Sequence, residues 1–279
     1  MKIDVHVHVL SPDFIKNIKI NLERDQHFKL LHSSPKSKFA TAEDVIENMN
    51  ANGIDKAVIF GFSALDIGMC KEENDYIIDV VKQYPDKFIG FAVVPPKDPE
   101  MEKELVRCFD SGLKGVGEII PDAVGIDISN QNEIRRFSSL CRELKFPILM
   151  HSNETVGHFY PGKGKTGPDK AYLFAKNNPD NIIIYAHWGG GLFFYELMPE
   201  LQRDLKNVYY DTAASPFLYK PQIYEVARSA GVLDKILFGT DFPLLSPKKY
   251  YNEWKQTNLT EEEIKKISTL NALNLLLPL

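Results

Sequence analysis

The chain has 279 residues, 44% of them hydrophobic and 25% charged, a globular composition with enough apolar residues for a sizeable core, which excludes disordered and fibrous classes. Lys plus Arg number 33 against 38 for Asp plus Glu, a formal charge of −5, so no net positive field recruits nucleic acid or an anionic membrane. Three widely spaced cysteines, Cys70, Cys108 and Cys141, fit reduced thiols in a cytoplasmic protein rather than a disulfide framework.

The opening MKIDVHVHVL has no apolar run or cleavage site, so no secretory signal is expected. The longest apolar stretches, 182–186 and 275–279, fall far short of the roughly 20 residues of a membrane span.

In chain order, short apolar runs fall at 2–9, 56–60, 88–94, 114–119, 147–151, 182–187, 208–212 and 236–241. Their continuous apolar character is that of strands buried on both faces of a parallel sheet. Between them the periodicity predicts helices over 42–50, 72–84, 99–111, 132–145, 172–177, 221–229 and 260–277. Thr41 and Asp44 have capping-box spacing, Asn52-Gly53 offers a left-handed stop, and Thr260-Glu-Glu-Glu sets acidic residues against the positive end of the last helix. Eight strands alternating with helices, with no repeat or linker, predict one α/β domain over 1–279, a single (β/α)8 TIM barrel. Two long segments, about 11–40 and 153–170, follow strands and are expected as loops walling the barrel mouth, with 33–37 and 157–167 as mobile stretches.

His6 and His8 in DVHVH are two apart on the first strand, so both imidazoles project from one face and Val5, Val7 and Val9 from the other. Such a pair is half of a transition-metal site, or two buried, hydrogen-bonded histidines. His151 in PILMHSN, His187 in IIIYAHWGGG and Asp241 in ILFGTDFP each close an apolar strand, and in a barrel those ends converge on one mouth. Buried ionisable groups are rarely tolerated unless paired or ligating, so these four strands together predict a metal centre. Glu118 in KGVGEII ends the fourth strand, as a metal ligand or as a polar end that orients His151; Lys114 begins that strand and falls at the opposite end.

This pattern, HxH on the first strand, histidines on the fifth and sixth and an aspartate on the eighth, resembles the amidohydrolase superfamily of metal-dependent hydrolases. The IDxHxH opening, AHWGGG and the closing LFGTDFP resemble the branch that also contains aminocarboxymuconate-semialdehyde decarboxylase, from Ile3 to the final helix. The resemblance implies that His6, His8, His151 and Asp241 are metal ligands. His187 is then a ligand of a second ion or an acid/base group beside a single one. One or two divalent ions are expected, Zn²⁺ first, with Mn²⁺, Fe²⁺ and Co²⁺ as alternatives. A bound water with its pKa lowered to about 7 would be the nucleophile, Asp241 moving its proton and His187 steadying the oxyanion.

Trp188, Asn153 and Phe242 are expected substrate contacts, with packing as the alternative for Trp188 and Phe242, and Glu154 stands beside Asn153 in the same capacity. Gly189 to Gly191 offers amides to an anion or makes a tight turn. His158, Lys163 and Lys165 are expected in solvated loops, while His27 and His32 carry no assigned role.

The leading expectation is a metal-dependent hydrolase of a small amide, lactone or ester. The alternative is a metal-dependent nonoxidative decarboxylase of a small unsaturated or aromatic acid, which calls for an arginine clamp at the mouth. Arg107, Arg135, Arg136, Arg142 and Arg228 fall on outer helices and leave Arg24 for that task. A non-catalytic metal-binding barrel and a deoxyribonuclease-like role rank below both. A small-molecule substrate, no nucleic acid, no membrane and a homodimer contact through Phe193-Phe194-Tyr195 complete the expectations.

Overall fold

In the computed structural model, which describes residues 1–277, eight parallel strands pair in chain order. They are β1 (Ile3–His8), β2 (Lys56–Phe60), β3 (Phe88–Ala92), β4 (Gly115–Ile119), β5 (Ile148–Met150), β6 (Ile183–Tyr185), β7 (Val208–Asp211) and β8 (Ile236–Leu237). Beyond Leu237 the chain runs on beside β1. Val5 N donates to the Phe238 carbonyl at 2.8 Å, Asp241 N to that of His6 at 2.9 Å, and His8 N to that of Phe242 at 2.9 Å. These bonds close the sheet into the (β/α)8 TIM barrel that the element order predicts.

Alternate strand residues divide between two apolar clusters, as a period of two requires. Ala57, Ile59, Val116, Ile148, Met150, Ile183 and Tyr185 pack with Phe137 and Phe174 of the surrounding helices. Val58, Phe60, Phe91, Leu149, Ile184 and Leu237 belong to the second cluster. Gly115 makes room for it: a Cβ there would stand 2.5 Å from the Phe91 ring.

The helices follow their punctuation. Thr41 and Asp44 form the expected capping box over Ala42–Asn52, and Gly53 ends that helix at φ 63°. The helix expected over 72–84 starts earlier, at Ile67, because the Asp66 carboxylate caps the amides of Gly68 and Met69. The helix Pro247–Trp254 has no counterpart among the expected ones, and the 260–277 helix is interrupted by a π turn at Lys266–Leu270. The 11–40 segment is not a plain loop. It holds the short helices Pro12–Lys16, Ile18–Asn21 and Gln26–His32, the first and third capped by Ser11 and Asp25. The 275–279 apolar stretch ends outside the described residues. No helix among the described residues is long and apolar enough to cross a membrane.

Candidate metal centre

Even-numbered residues of β1 carry the site. Asp4, His6 and His8 are all buried, at 1%, 0% and 5% exposure, and the period of two sets them in one row. His6 and His8 face each other across 3.3 Å between their Nε2 atoms. Glu118 from β4 places Oε2 3.8 Å from His6 Nε2 and 3.6 Å from His8 Nε2, and Asp241 Oδ1 lies 3.7 and 3.6 Å from the same atoms. Glu118 Oε1 meets His151 Nδ1 at 2.8 Å and His187 Nε2 at 3.4 Å. Two triads result, His6/His8/Asp241 and Glu118/His151/His187, with donor atoms inside each within 4.8 Å of one another. Glu118 has one oxygen toward each triad. Its two readings at the sequence level, ligand or orienter of His151, converge on one carboxylate placed to serve as both.

The hydrogen bonds on the far sides of the rings determine which nitrogens face the centre. His6 Nδ1 lies 2.8 Å from Asp211 Oδ2, His8 Nδ1 lies 3.3 Å from the Gly61 carbonyl, and His187 Nδ1 lies 3.0 Å from the Ala213 carbonyl. Each of these partners only accepts, so each ring keeps a proton on Nδ1 and turns Nε2 inward, where a lone pair is offered once that nitrogen is unprotonated. Lone pairs and carboxylates pointing at one another repel unless a cation lies between them. Ligands about 2.0–2.2 Å from an ion stand roughly 3–3.6 Å apart, close to the separations found. The donor set therefore fits a divalent ion, and this is a divalent-metal site.

Electrostatics agree. Burial alone would depress His6 and His187, yet Asp211 and Glu118 hold His6 up at about 9, and Glu118 with Asp241 holds His187 up at about 10. His8, buried beside a charged His6, is pushed down to about 4. Glu118 stays well below its ordinary value despite burial because His151 and His6 face it. The pocket demands positive charge, which protons or a metal ion can supply.

Several residues of the site were not singled out from sequence. Asp211, fully buried at the end of β7, holds His6 through Oδ2 while its Oδ1 accepts the amides of His187 at 3.0 Å and Ala213 at 2.9 Å. Asp4 accepts the Thr240 hydroxyl at 2.6 Å and the Thr240 amide at 3.0 Å, which anchors the turn carrying Asp241; burial pushes its carboxyl up to about 7. Phe62 stacks on His8, with ring centroids 4.2 Å apart. Asp4 shares the parity of His6 and His8 within IDVHVH, and Asp211 closes the VYYD run, so both had a signal in strand period and strand end.

The other residues singled out do not join the two triads. Trp188 is fully buried, donates from Nε1 to Ser215 Oγ at 3.0 Å and packs on Phe193 and Tyr224, so it belongs to the core rather than to the pocket wall. Asn153 is buried and turned to its own loop, donating to the Tyr160 hydroxyl at 3.2 Å and accepting from Gly164 N at 2.9 Å. Phe242 is half-buried and packs against the outer cluster. Gly189, Gly190 and Gly191 run at φ 65°, 58° and 93°, and a Cβ on Gly190 would overlap the Asn153 carbonyl: this is a tight turn. Arg24 is committed to Glu72 and Asp66 and supplies no clamp. His158 and Lys165 are exposed, Lys163 bonds the carbonyls of Val156 and His158, and Lys114 is exposed at the opposite end of β4. Phe193 is core, while Phe194 and Tyr195 are exposed.

The amidohydrolase family model (Amidohydro_2) matches residues 3–277. The chain is 25% identical to a gamma-resorcylate decarboxylase from Polaromonas sp. strain JS666 over 251 residues, 74% of this chain and 75% of the relative. A dihydroxybenzoic acid decarboxylase from Polaromonas sp. JS666, solved with manganese and the inhibitor 2-nitroresorcinol, superposes with a TM-score of 0.72 at 19% identity, covering 99% and 96% of the two chains. A manganese-bound 5-carboxyvanillate decarboxylase from Novosphingobium aromaticivorans superposes with a TM-score of 0.75 at 18% identity, again covering 99% and 96%. A barrel with a buried His/carboxylate centre at its mouth and a family match over nearly the whole length lead to one conclusion: this chain belongs to the amidohydrolase family.

Proposed function

We propose that the protein is a metal-dependent nonoxidative decarboxylase of a small aromatic carboxylic acid, a carbon–carbon lyase, in preference to the hydrolase that the motifs first suggested. The observation that carries this reading is a metal centre of four imidazoles and two carboxylates on a chain whose likeness to a gamma-resorcylate decarboxylase spans three quarters of both. Carboxylate-rich sites suit Mn²⁺, imidazole-rich sites Zn²⁺, and this mixed set accommodates either. His6, His8, Glu118 and Asp241 would hold one ion, and His151 and His187 with the second Glu118 oxygen offer the donors of another position. When bound, the ion supplies a positive charge that draws the substrate's carboxylate and neighbouring oxygens to the mouth.

The remaining chemistry falls to the side chains. The carboxylate leaves as CO₂ and the ring carbon takes a proton in its place, so the site needs a proton donor beside that carbon. Asp241 suits this role: its side chain is 14% exposed at the mouth, whereas Glu118 is 3% exposed and enclosed. His187, with Nδ1 committed to the Ala213 carbonyl, presents Nε2 to neighbouring oxygens and can hold or return a proton there. We further propose that the protein acts on its small-molecule substrate in the cytoplasm, in keeping with three buried free cysteines, and forms a homodimer in which the exposed Phe194 and Tyr195 supply contact area.

The test is metal analysis followed by turnover of dihydroxybenzoates, carboxyvanillate, lactones and amides after stripping with chelator and reloading with Mn²⁺ or Zn²⁺. CO₂ release from an aromatic acid, lost on stripping and on Asp241→Asn, is the expected result. Uptake of ¹⁸O from water into a lactone or amide product, without CO₂, would return the protein to the hydrolases.

A further inference from the structure

Two segments that the chemistry above leaves unused lie beside the mouth, and they meet where Leu31 of the Gln26–His32 helix presses on Gly162 of the 153–167 loop. Steps of four along that helix pair His27 with Leu31 and Phe28 with His32 on adjoining faces. The His32 ring sits among Phe28, Phe62 and Phe39, with centroids 4.5, 4.6 and 5.4 Å away, and Phe62 in turn stacks on His8. Through Phe62 the His32 ring is one side chain removed from His8, and His27 stands on the same short helix.

Three buried imidazole nitrogens here, Nε2 of His27, of His32 and of His151, have no hydrogen-bond partner. Native proteins rarely leave such atoms unsatisfied, and a polar ligand bound at the metal centre would satisfy them. No arginine takes that task. Arg24, Arg107, Arg136 and Arg228 are paired with acidic side chains, and Arg135, Arg142 and Arg203 are exposed on outer helices. Burial keeps both unassigned histidines neutral, so each ring offers one donor and one acceptor rather than a charge.

We infer that His27 and His32 are the substrate-recognition residues of this enzyme, their Nε2 atoms hydrogen-bonding hydroxyl or carboxylate oxygens of the aromatic acid held at the metal centre. The inference rests on the reading of the site as one for a small aromatic acid. It explains how a decarboxylase operates here without an arginine clamp. A neutral imidazole offers a donor and an acceptor, which a ring hydroxyl can match and a carboxylate, which only accepts, cannot, so the substrates favoured are hydroxylated benzoates rather than dicarboxylates.

The test uses metal-loaded protein and two probes, 2-nitroresorcinol and 2,6-dihydroxybenzoate, titrated by calorimetry. His27→Ala is expected to weaken both by about tenfold or more, as loss of a buried hydrogen bond does. Any KM should rise by the same factor while kcat changes little and metal content stays that of wild type. His27→Gln, which keeps a donor and an acceptor, should restore most of the affinity, and the His27 ring ¹⁵N resonances of wild type should shift when either probe is added. Equal affinity in wild type, His27→Ala and His32→Phe overturns the inference, as does failure of wild type to bind either probe. Probe binding that depends on His27 with no CO₂ released upholds the recognition role and refutes the decarboxylase reading separately.

Discussion

Asp211 touches no substrate in this reading, yet replacing it with asparagine should disable the metal site through a tautomer. Its Oδ1 accepts two backbone amides, from His187 at 3.0 Å and Ala213 at 2.9 Å, while Oδ2 accepts Nδ1–H of His6 at 2.8 Å. In Asp211→Asn the amide oxygen stays with the two backbone donors, because turning it away would strand both of them in a fully buried position. The NH₂ group then faces His6 Nδ1, donor against donor. His6 escapes that clash only by giving up the proton on Nδ1 and keeping one on Nε2, the atom that lies among His8, Glu118 and Asp241. Metal binding must reverse the tautomer and restore the clash. Losing the outer partner of a ligating histidine typically costs about 10- to 100-fold in metal affinity, which is about 1.4–2.8 kcal/mol. Competition against a chelator of known affinity at pH 7.5, with metal content read by atomic absorption, measures it. Turnover should recover in large part at saturating metal. An Asp211→Asn protein that holds the ion as tightly as wild type, with unchanged kcat/KM, would refute the tautomer argument.

Three further outcomes are expected. Without metal, His6 and His187 titrate at about 9 and 10, so at pH 7.5 both are protonated, and ion binding should release up to two protons there and fewer as pH rises toward 10; calorimetry in buffers of different ionisation enthalpy measures the release, and none at pH 7.5 contradicts the charge assignment. Glu253 has its carboxyl pushed from 4.5 up to about 7 by burial, with Oε2 unpartnered, so the folded state binds its proton more tightly and stability falls as pH rises from 4.5 through 7; Glu253→Gln should be neutral near pH 4 and stabilise by about 1–3 kcal/mol above pH 7, read as the urea midpoint at both pH values, and equal effects at the two would exclude this cause. Gly190→Ala places a Cβ against the Asn153 carbonyl at φ 58°, and should lower the urea midpoint by the equivalent of about 1–3 kcal/mol or more; an unchanged midpoint would mean that the turn is free to rearrange.

Much of the molecule is written in local pattern. Strand parity and apolar runs located all eight strands, because each is buried on both faces, and HxH spacing placed His6 and His8 side by side. Strand ends also indicated that His151, His187, Asp241 and Glu118 share one mouth. β6 stops at Tyr185 and β8 at Leu237, however, so His187 and Asp241 are held by turns with positive φ, at 57° and 62°, rather than by strands. Helix boundaries set by a single cap, such as Asp66, were missed because capping outweighs the apolar period over one turn.

Partnership across the barrel was not legible. Asp211 and His6 are 205 residues apart and Asp4 and Thr240 are 236 apart, so strand period and strand end can mark the two aspartates but cannot name the group each one holds. Trp188 and Asn153 follow site histidines in sequence yet turn away from the mouth, because a left-handed backbone run sends one into the core and the loop's own hydrogen bonds claim the other. The sequence by itself determined the barrel and which residue types gather at its mouth, since burial period and strand ends are local properties. Only the tertiary structure decided which nitrogen each histidine offers, that Glu118 joins two triads, and that no arginine attends the site, because those depend on groups that only barrel closure brings together.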